Sequence, residues 1–172
     1  LMITAETLII IFSLFIGVYS ALHQYSALDN VLTAISFITF SMPIFWIALG
    51  LMYIFAVRFK AWGLPYLPTV GMYDPMEGKT LPQVVWNLIL PAMSIALIVI
   101  ARYSRYVRAN MREVINSDYI RTARAKGLHE RAILFVHAFK NAALPLVTII
   151  GMDLPFRLAG AVVTERIFAW PG

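Results

Sequence analysis

The sequence predicts an all-α polytopic membrane protein, and three observations carry that reading. The 172 residues are 60% hydrophobic and only 13% charged, where a soluble domain has about 45–50% apolar and 25% charged residues. Mean hydropathy is +0.77. Four apolar stretches approach the roughly 20 residues that a helix needs to cross hydrocarbon. Charges this sparse cannot cover a water-facing surface, which excludes an ordinary cytosolic enzyme and a disordered tail. The lack of cysteine excludes a disulfide-rich secreted module.

The first stretch, 4–22, carries one charge, Glu6, near its start, where an interfacial position is expected. The second, 31–57, has no charged residue and is long enough to tilt, or to bend at Ser41-Met42-Pro43. The third, 84–101, is entered through Trp86, and the fourth, 142–163, contains Asp153 and Arg157. Lipid tolerates no open backbone, so these stretches must be helices, and the absence of strand alternation argues against a β-barrel. Pro43, Pro91, Pro145 and Pro155 interrupt or begin spans. Proline removes a backbone donor and kinks a helix. Such kinks either shape a cavity between helices or reflect the ordinary frequency of proline in membrane helices.

Orientation follows from the basic residues. Nine of the fourteen lysines and arginines lie in 102–140, against three acids, Glu113, Asp118 and Glu130. Basic loops stay in the cytoplasm. Segment 102–141 is therefore expected inside, with turn 23–30, and loop 58–83 outside. That outer loop holds Trp62, Pro65, Tyr66, Pro68, Tyr73 and Pro75, a composition suited to an ordered segment at headgroup level. The chain opens on Leu1 and closes on Trp170-Pro171-Gly172 without a polar tail, and reads as an internal piece of a longer membrane subunit.

Gly78-Lys79-Thr80 imitates the end of a phosphate-binding loop, but the motif needs glycine at position 73, which is tyrosine. His23, His129 and His137 are scattered away from metal-ligand spacing, and no metal site is expected. No nucleophile–base arrangement is visible, so the chain is not expected to be an enzyme.

Segment 102–141 spans about 40 residues, against the 2–8 of an ordinary helix connection. It has helical character: Asp118 is an N-cap candidate, and Ile120, Ala123, Gly127, Leu128, Ile133, Leu134, Val136 and His137 follow at roughly helical spacing. Arg121, Arg124, Lys126 and Arg131 fill other positions, and Gly127 interrupts the run. The pattern predicts a short amphipathic helix, a glycine turn and a second helix returning to the membrane. Such an element lies on anionic lipid, serves only the positive-inside rule, or docks a cytoplasmic partner. Its aromatics, Tyr119, Phe135 and Phe139, are too few for a nucleic-acid stacking surface, so no nucleic-acid partner is expected.

The run Asp118-Tyr119-Ile120-Arg121-Thr122-Ala123-Arg124-Ala125-Lys126-Gly127-Leu128, followed by His137-Ala138-Phe139-Lys140-Asn141-Ala142-Ala143-Leu144-Pro145, resembles the EAA loop of ABC importer permeases. The version is that of the oligopeptide/dipeptide/nickel group. Ser41-Met42-Pro43-Ile44-Phe45-Trp46, Ile89-Leu90-Pro91-Ala92 and the run from Val162 to Gly172 resemble three further phrases of that group. Of the general loop pattern, Ala123 and Gly127 are kept, while Arg121-Thr122 and His137-Ala138-Phe139-Lys140 follow the peptide/nickel version.

The resemblance implies a type I permease-like helical bundle, with four of its spans in this chain, one further span before Leu1 and one after Gly172. It implies that 118–128 (Asp118, Tyr119, Arg121, Thr122, Ala123, Arg124, Ala125, Lys126, Gly127 and Leu128 among them) fits a groove on a separate ATP-binding subunit, which would hold ATP and Mg. It also implies a second, homologous permease subunit, an extracytoplasmic substrate-binding protein at the outer loops, and a bacterial or archaeal plasma membrane. Asp153 and Arg157, spaced i, i+4, either line a translocation path together with Pro43 and Pro91 or form a self-neutralised pair. A secondary transporter would show internal repeats, and a membrane-embedded enzyme a catalytic constellation; neither is visible. The substrate, whether peptide, nickel complex or another solute, is not encoded legibly here.

Overall fold

A computed structural model describes residues 1–73, 78–160 and 162–171. Pro75, expected in the outer loop, and Gly172, at the end of the last family-like phrase, lie outside the described residues. Helix α1 spans Met2–Leu22, α2 Ala27–Ser41, α3 Ile44–Ala61, α4 Leu81–Ile115 and α5 Asp118–Ala125. Helix α6 covers 130–160 and α7 covers Val162–Ile167. Among the described residues four helices are long and apolar enough to cross a membrane: α1, α3, α4 and α6.

The apolar stretch 31–57 is not one span. Helix α2 already starts at Ala27 and stops at Ser41, and Met42 and Pro43 are extended (ψ 137° and 146°). Proline disfavours helical backbone in the residue before it and offers no N–H, so the break falls where the sequence allowed a bend. Helix α3 then runs on to Ala61 through a wide π-helical stretch at Tyr53–Arg58, which moves the start of the outer loop to Trp62.

Helix α4 extends far past the apolar stretch 84–101 that predicted it. Beyond Ala101 it buries Tyr103, Ser104, Val107 and Met111 along one face while its arginines take the others. No glycine or proline stops this amphipathic continuation before Asn116, so the first part of the expected loop is helix. Pro91 sits buried inside α4 near its other end.

The core follows α4 from end to end. At the basic end Ala21, Met111, Ile120, Ala123, Ile133, Ala138 and Ala142 pack together. In the middle lie Ile9, Ala96, Tyr103, Val107 and Leu146. At the opposite end Ala48, Leu67, Leu90, Phe168 and Trp170 close the bundle. There Gly71 donates its N–H to the carbonyl of Phe168 (2.9 Å) and Asn87 Nδ2 donates to the carbonyl of Gly71 (3.2 Å), tying the outer loop to the last segment.

The α1–α4 contact is set by small residues. Ala5, Ile9, Ser13, Gly17 and Ala21 recur every fourth position and are buried. A Cβ at Gly17 would lie 2.5 Å from Cβ of Val107 and 2.7 Å from the carbonyl oxygen of Ser104. Small side chains let helix backbones approach closely, which is how membrane helices gain packing without a hydrophobic drive. Buried Ser13, Ser94 and Ser104 return their hydroxyls to carbonyls of their own helices, so they place no unsatisfied group in the contact.

Two substitutions test this packing. Gly17→Val should destabilise the folded subunit by about 1–3 kcal/mol through overpacking against α4, read as a lower thermal midpoint in detergent. At the end of α7, Ala169 has φ +46°, Trp170 N–H bonds the Glu165 carbonyl (2.8 Å) and Ala169 N–H bonds that of Arg166 (3.4 Å). This is a helix C-cap whose left-handed position is usually glycine. Ala169→Gly should raise the same midpoint, by about 1 kcal/mol of relieved strain.

Candidate functional site

The segment singled out at 118–128 folds as the predicted helix, turn and returning helix. Ser117, not Asp118, holds the N-cap position, with extended backbone (ψ 155°), and Asp118 is the first helical residue. The Ser117 hydroxyl donates back to the Val114 carbonyl (2.6 Å), so α4 and α5 are joined by a tight corner. Ile120 and Ala123 are buried against Met111, Ala21, Ile133 and Ala138, which fixes the rotation of α5. Leu128, Val136 and His137, part of the expected apolar pattern, are exposed instead, because the chain leaves the helix at Gly127 and restarts in a new direction.

Gly127 has φ +75°, and a Cβ there would meet nothing, so glycine is needed for the backbone turn and not for space. The Leu128 N–H bonds the Ala123 carbonyl (3.3 Å) and the Gly127 N–H bonds that of Arg124 (2.9 Å), a Schellman cap. Across the turn Arg124 grips Glu130 with two bonds, Nη2 to Oε1 (2.7 Å) and Nε to Oε2 (3.2 Å). Hydrogen bonding to that carboxylate raises the Arg124 guanidinium above its ordinary value. Tyr119 is tied in as well, its hydroxyl accepting from Asn141 Nδ2 (3.2 Å). The result is a braced hairpin. Of the residues named for partner contact, only Ala123 is buried; Asp118, Tyr119, Arg121, Thr122, Arg124, Ala125, Lys126, Gly127 and Leu128 are exposed.

The second constellation lies inside the bundle. Asp153 and Arg157 do not pair with each other along α6. Asp153 takes a salt bridge from Arg102 of α4 and a hydrogen bond from the Tyr103 hydroxyl (2.8 Å). Arg157 pairs with Glu6 of α1 (2.7 Å) and donates to the same Tyr103 hydroxyl (3.0 Å). Glu6, expected at an interface, is turned inward with 17% of its side chain exposed. Two cations and two carboxylates therefore form one neutral network across three helices, joined by Tyr103. A charge left unpaired in the membrane is costly, which explains why each member has an opposite partner. Beside it, Ile44, Ile95, Ile98, Val99 and Phe156 line a cavity of about 270 Å³ with Arg102, Asp153 and Arg157. Neither Pro43, the exposed N-cap of α3, nor Pro91, buried in α4, is among its lining residues.

A further ionic contact was not anticipated at all. Asp29 is 1% exposed and pairs with Arg108 (2.7 Å), which also donates to Thr33 Oγ1 (3.1 Å). The Tyr25 N–H donates to the same Asp29 oxygen (2.9 Å), and Ser26 Oγ accepts from the Asp29 N–H (3.1 Å). This fastens the α1–α2 turn to α4. The Ser26-x-x-Asp29 spacing, a variant of the helix capping box, was the signal in the sequence; Tyr103 had none. Two of the three histidines take structural places: His23 stacks on Tyr19 (4.5 Å), and His129 Nδ1 accepts from the Arg131 N–H (3.2 Å). Among the described residues no group of three metal-ligating side chains converges.

A multi-pass helical bundle with an exposed basic hairpin at one end defines a class of membrane component. Residues 13–172 match the family model described as binding-protein-dependent transport system inner membrane component, and the chain belongs to that family. It is 41% identical, over its whole length, to the oligopeptide transport system permease protein AppB of Bacillus subtilis, covering 53% of that protein. Identity is 39% to the di/tripeptide transport system permease protein DppB of Pseudomonas aeruginosa (94% of this chain, 52% of the relative). It is 36% to the dipeptide transport system permease protein DppB of Escherichia coli K12 (91% and 51%). The chain spans about half the length of the curated relatives it matches.

The Asp29–Arg108 contact makes a prediction about stability. Asp29→Ala alone should cost about 3–5 kcal/mol by stranding Arg108, whereas Asp29→Leu with Arg108→Met should recover most of it. Thermal unfolding of the purified full-length subunit in detergent distinguishes the two.

Proposed function

We propose that the chain is part of the membrane-spanning permease subunit of an ATP-driven importer for peptides. The observation that carries this reading is the braced hairpin, which holds a small-residue helix face and its flanking basic groups outward on a rigid mount. Exposed Ala125 and Gly127 admit close approach, and Arg121 and Lys126 can meet acidic groups on a partner while Arg124 holds the brace. In this reading the partner is a separate ATPase subunit that holds ATP and Mg, and the permease performs no hydrolysis itself. A second permease subunit completes the path, and an extracytoplasmic binding protein delivers substrate at the end closed by Phe168, Trp170 and the outer loop. The setting is a bacterial or archaeal plasma membrane with its lipids, and the peptide class comes from the names of the relatives. Asp153 and Arg157, with Pro43 and Pro91 in the adjoining helices, belong to the helices that form the path.

These 172 residues contain no cysteine, so a single one is unambiguous once any cysteine elsewhere in the full-length subunit is replaced. Ala125→Cys in the full-length subunit should cross-link to a cysteine in the groove of the co-expressed ATPase subunit, and ATP should change the yield. A folded complex that gives no cross-link would make the hairpin a lipid-facing element and remove the coupling argument.

A further inference from the structure

The intramembrane network divides into two unequal halves. The Glu6–Arg157 pair is turned into the bundle, with 17% and 12% of its side chains exposed; Arg102 and Asp153 are more open, at 37% and 25%. Both of the open groups line the cavity, and of the inner pair Arg157 reaches its wall while Glu6 does not. Tyr103 donates to Asp153 from behind and receives Arg157, so the inner pair holds the outer one in place. The cavity thus presents a fixed donor, the Arg102 guanidinium, beside a fixed acceptor, the Asp153 carboxylate. The facing walls, Ile44, Ile98, Val99 and Phe156, are apolar.

We propose that this cavity is a subsite for the main chain of a translocating peptide; the proposal rests on the permease reading above. A peptide unit carries one N–H and one C=O. The N–H donates to Asp153, the C=O accepts from Arg102, and the adjoining side chain lies against the apolar wall. The network has no net charge, because two cations face two carboxylates. Arg157 on the cavity wall is neutralised by Glu6 behind it, so the Coulombic preference for acidic or basic peptides is small. Contacts to the main chain alone are what a conduit for varied side chains requires. A second role for the partner carboxylate follows: Asp153 keeps Arg102 from holding a peptide C-terminus as a free guanidinium would, which lets the occupant leave.

The test uses Ile98→Cys in the full-length subunit within the complete transporter, reconstituted in proteoliposomes. Modification of the cysteine by N-ethylmaleimide is followed with and without millimolar trialanine, trilysine, triglutamate and trisarcosine, the last lacking peptide N–H groups. The first three should slow modification alike, by at least about threefold, as for an occupant held by one or two hydrogen bonds of ordinary strength. Trisarcosine should protect little. Phe156→Cys serves as a second reporter if the first variant does not fold. No modification at either position, equal protection by trisarcosine, or protection that follows peptide charge overturns the subsite. ATP-driven uptake of trialanine by the unaltered transporter is measured alongside: uptake without protection sinks the subsite alone, and the absence of uptake for every peptide sinks the permease reading itself.

Discussion

Helix α4 has no breaker between Pro91 and Asn116, and the rest of the structure depends on that continuity. The core clusters along its length all use it: Leu90 at one end, Ala92 and Ile95 next, Ala96 and Tyr103 in the middle, Met111 at the basic end. The same helix supplies Arg102, Tyr103 and Arg108 to the ionic contacts. At 1.5 Å per residue, its 35 residues are long enough to cross a membrane and project beyond it. A break at Ala101, where the apolar run ends, would have separated the network from the hairpin.

Charges inside this bundle obey a single constraint. Burial of each must be compensated, so Glu6, Arg102, Asp153 and Arg157 are paired across helices and not along their own, while Arg105 bonds the Ala101 carbonyl and packs on Phe37 and Phe40. A pair spaced i, i+4 on one helix could neutralise itself, but it would hold nothing together. Asp153 and Arg157 instead reach α4 and α1, and the Tyr103 hydroxyl, donor to one and acceptor from the other, lets both pairs share one site. Asp29 and Arg108 do the same for α2 and α4. Polar contacts of this kind add modest stability in membranes; their larger effect is to fix which helix faces meet. Gly17, which brings α1 against Val107 and Ser104, sets the distance at which those contacts work.

The helices themselves were legible because lipid-spanning segments are read from length and hydropathy. The hairpin was legible because glycine at a turn and apolar residues at helical spacing are local signals. The end of α4 was not, since Arg102, Arg105, Arg108 and Arg112 look like loop when counted as charge; only the spacing of Tyr103, Val107 and Met111 reveals a helix there. The split at Pro43 was half legible, as a bend without its consequence that α2 begins at Ala27. The partners of Asp153, Arg157 and Glu6 were out of reach, because which helix faces which is a tertiary fact with no one-dimensional trace. Glu6 looked peripheral for the same reason: its position along α1 is near the start, but its direction is inward.

These features bear on how force would travel in the proposed importer. The hairpin is joined to α4 by the short Asn116-Ser117 corner and to α6 by the Arg124–Glu130 grip and the packing of Ile120 and Ala123 on Ile133 and Ala138. A push on α5 therefore reaches α4 and α6 together. Those two helices carry opposite sides of the Arg102–Asp153 contact. If they move as one body, the network stays intact and the cavity keeps its shape. If they shear, Tyr103 must give up either Asp153 or Arg157, and a charged pair loses its neutral bridge at the moment the path rearranges. Helix α1 resists the second course, because Gly17 locks it to α4 while Glu6 binds it to α6 through Arg157. Three helices linked in a closed ring of contacts favour rigid-body rotation, so the compliant element is the one outside the ring. That is the extended Met42-Pro43 link between α2 and α3, where Pro43 has no N–H to tie the two helices together.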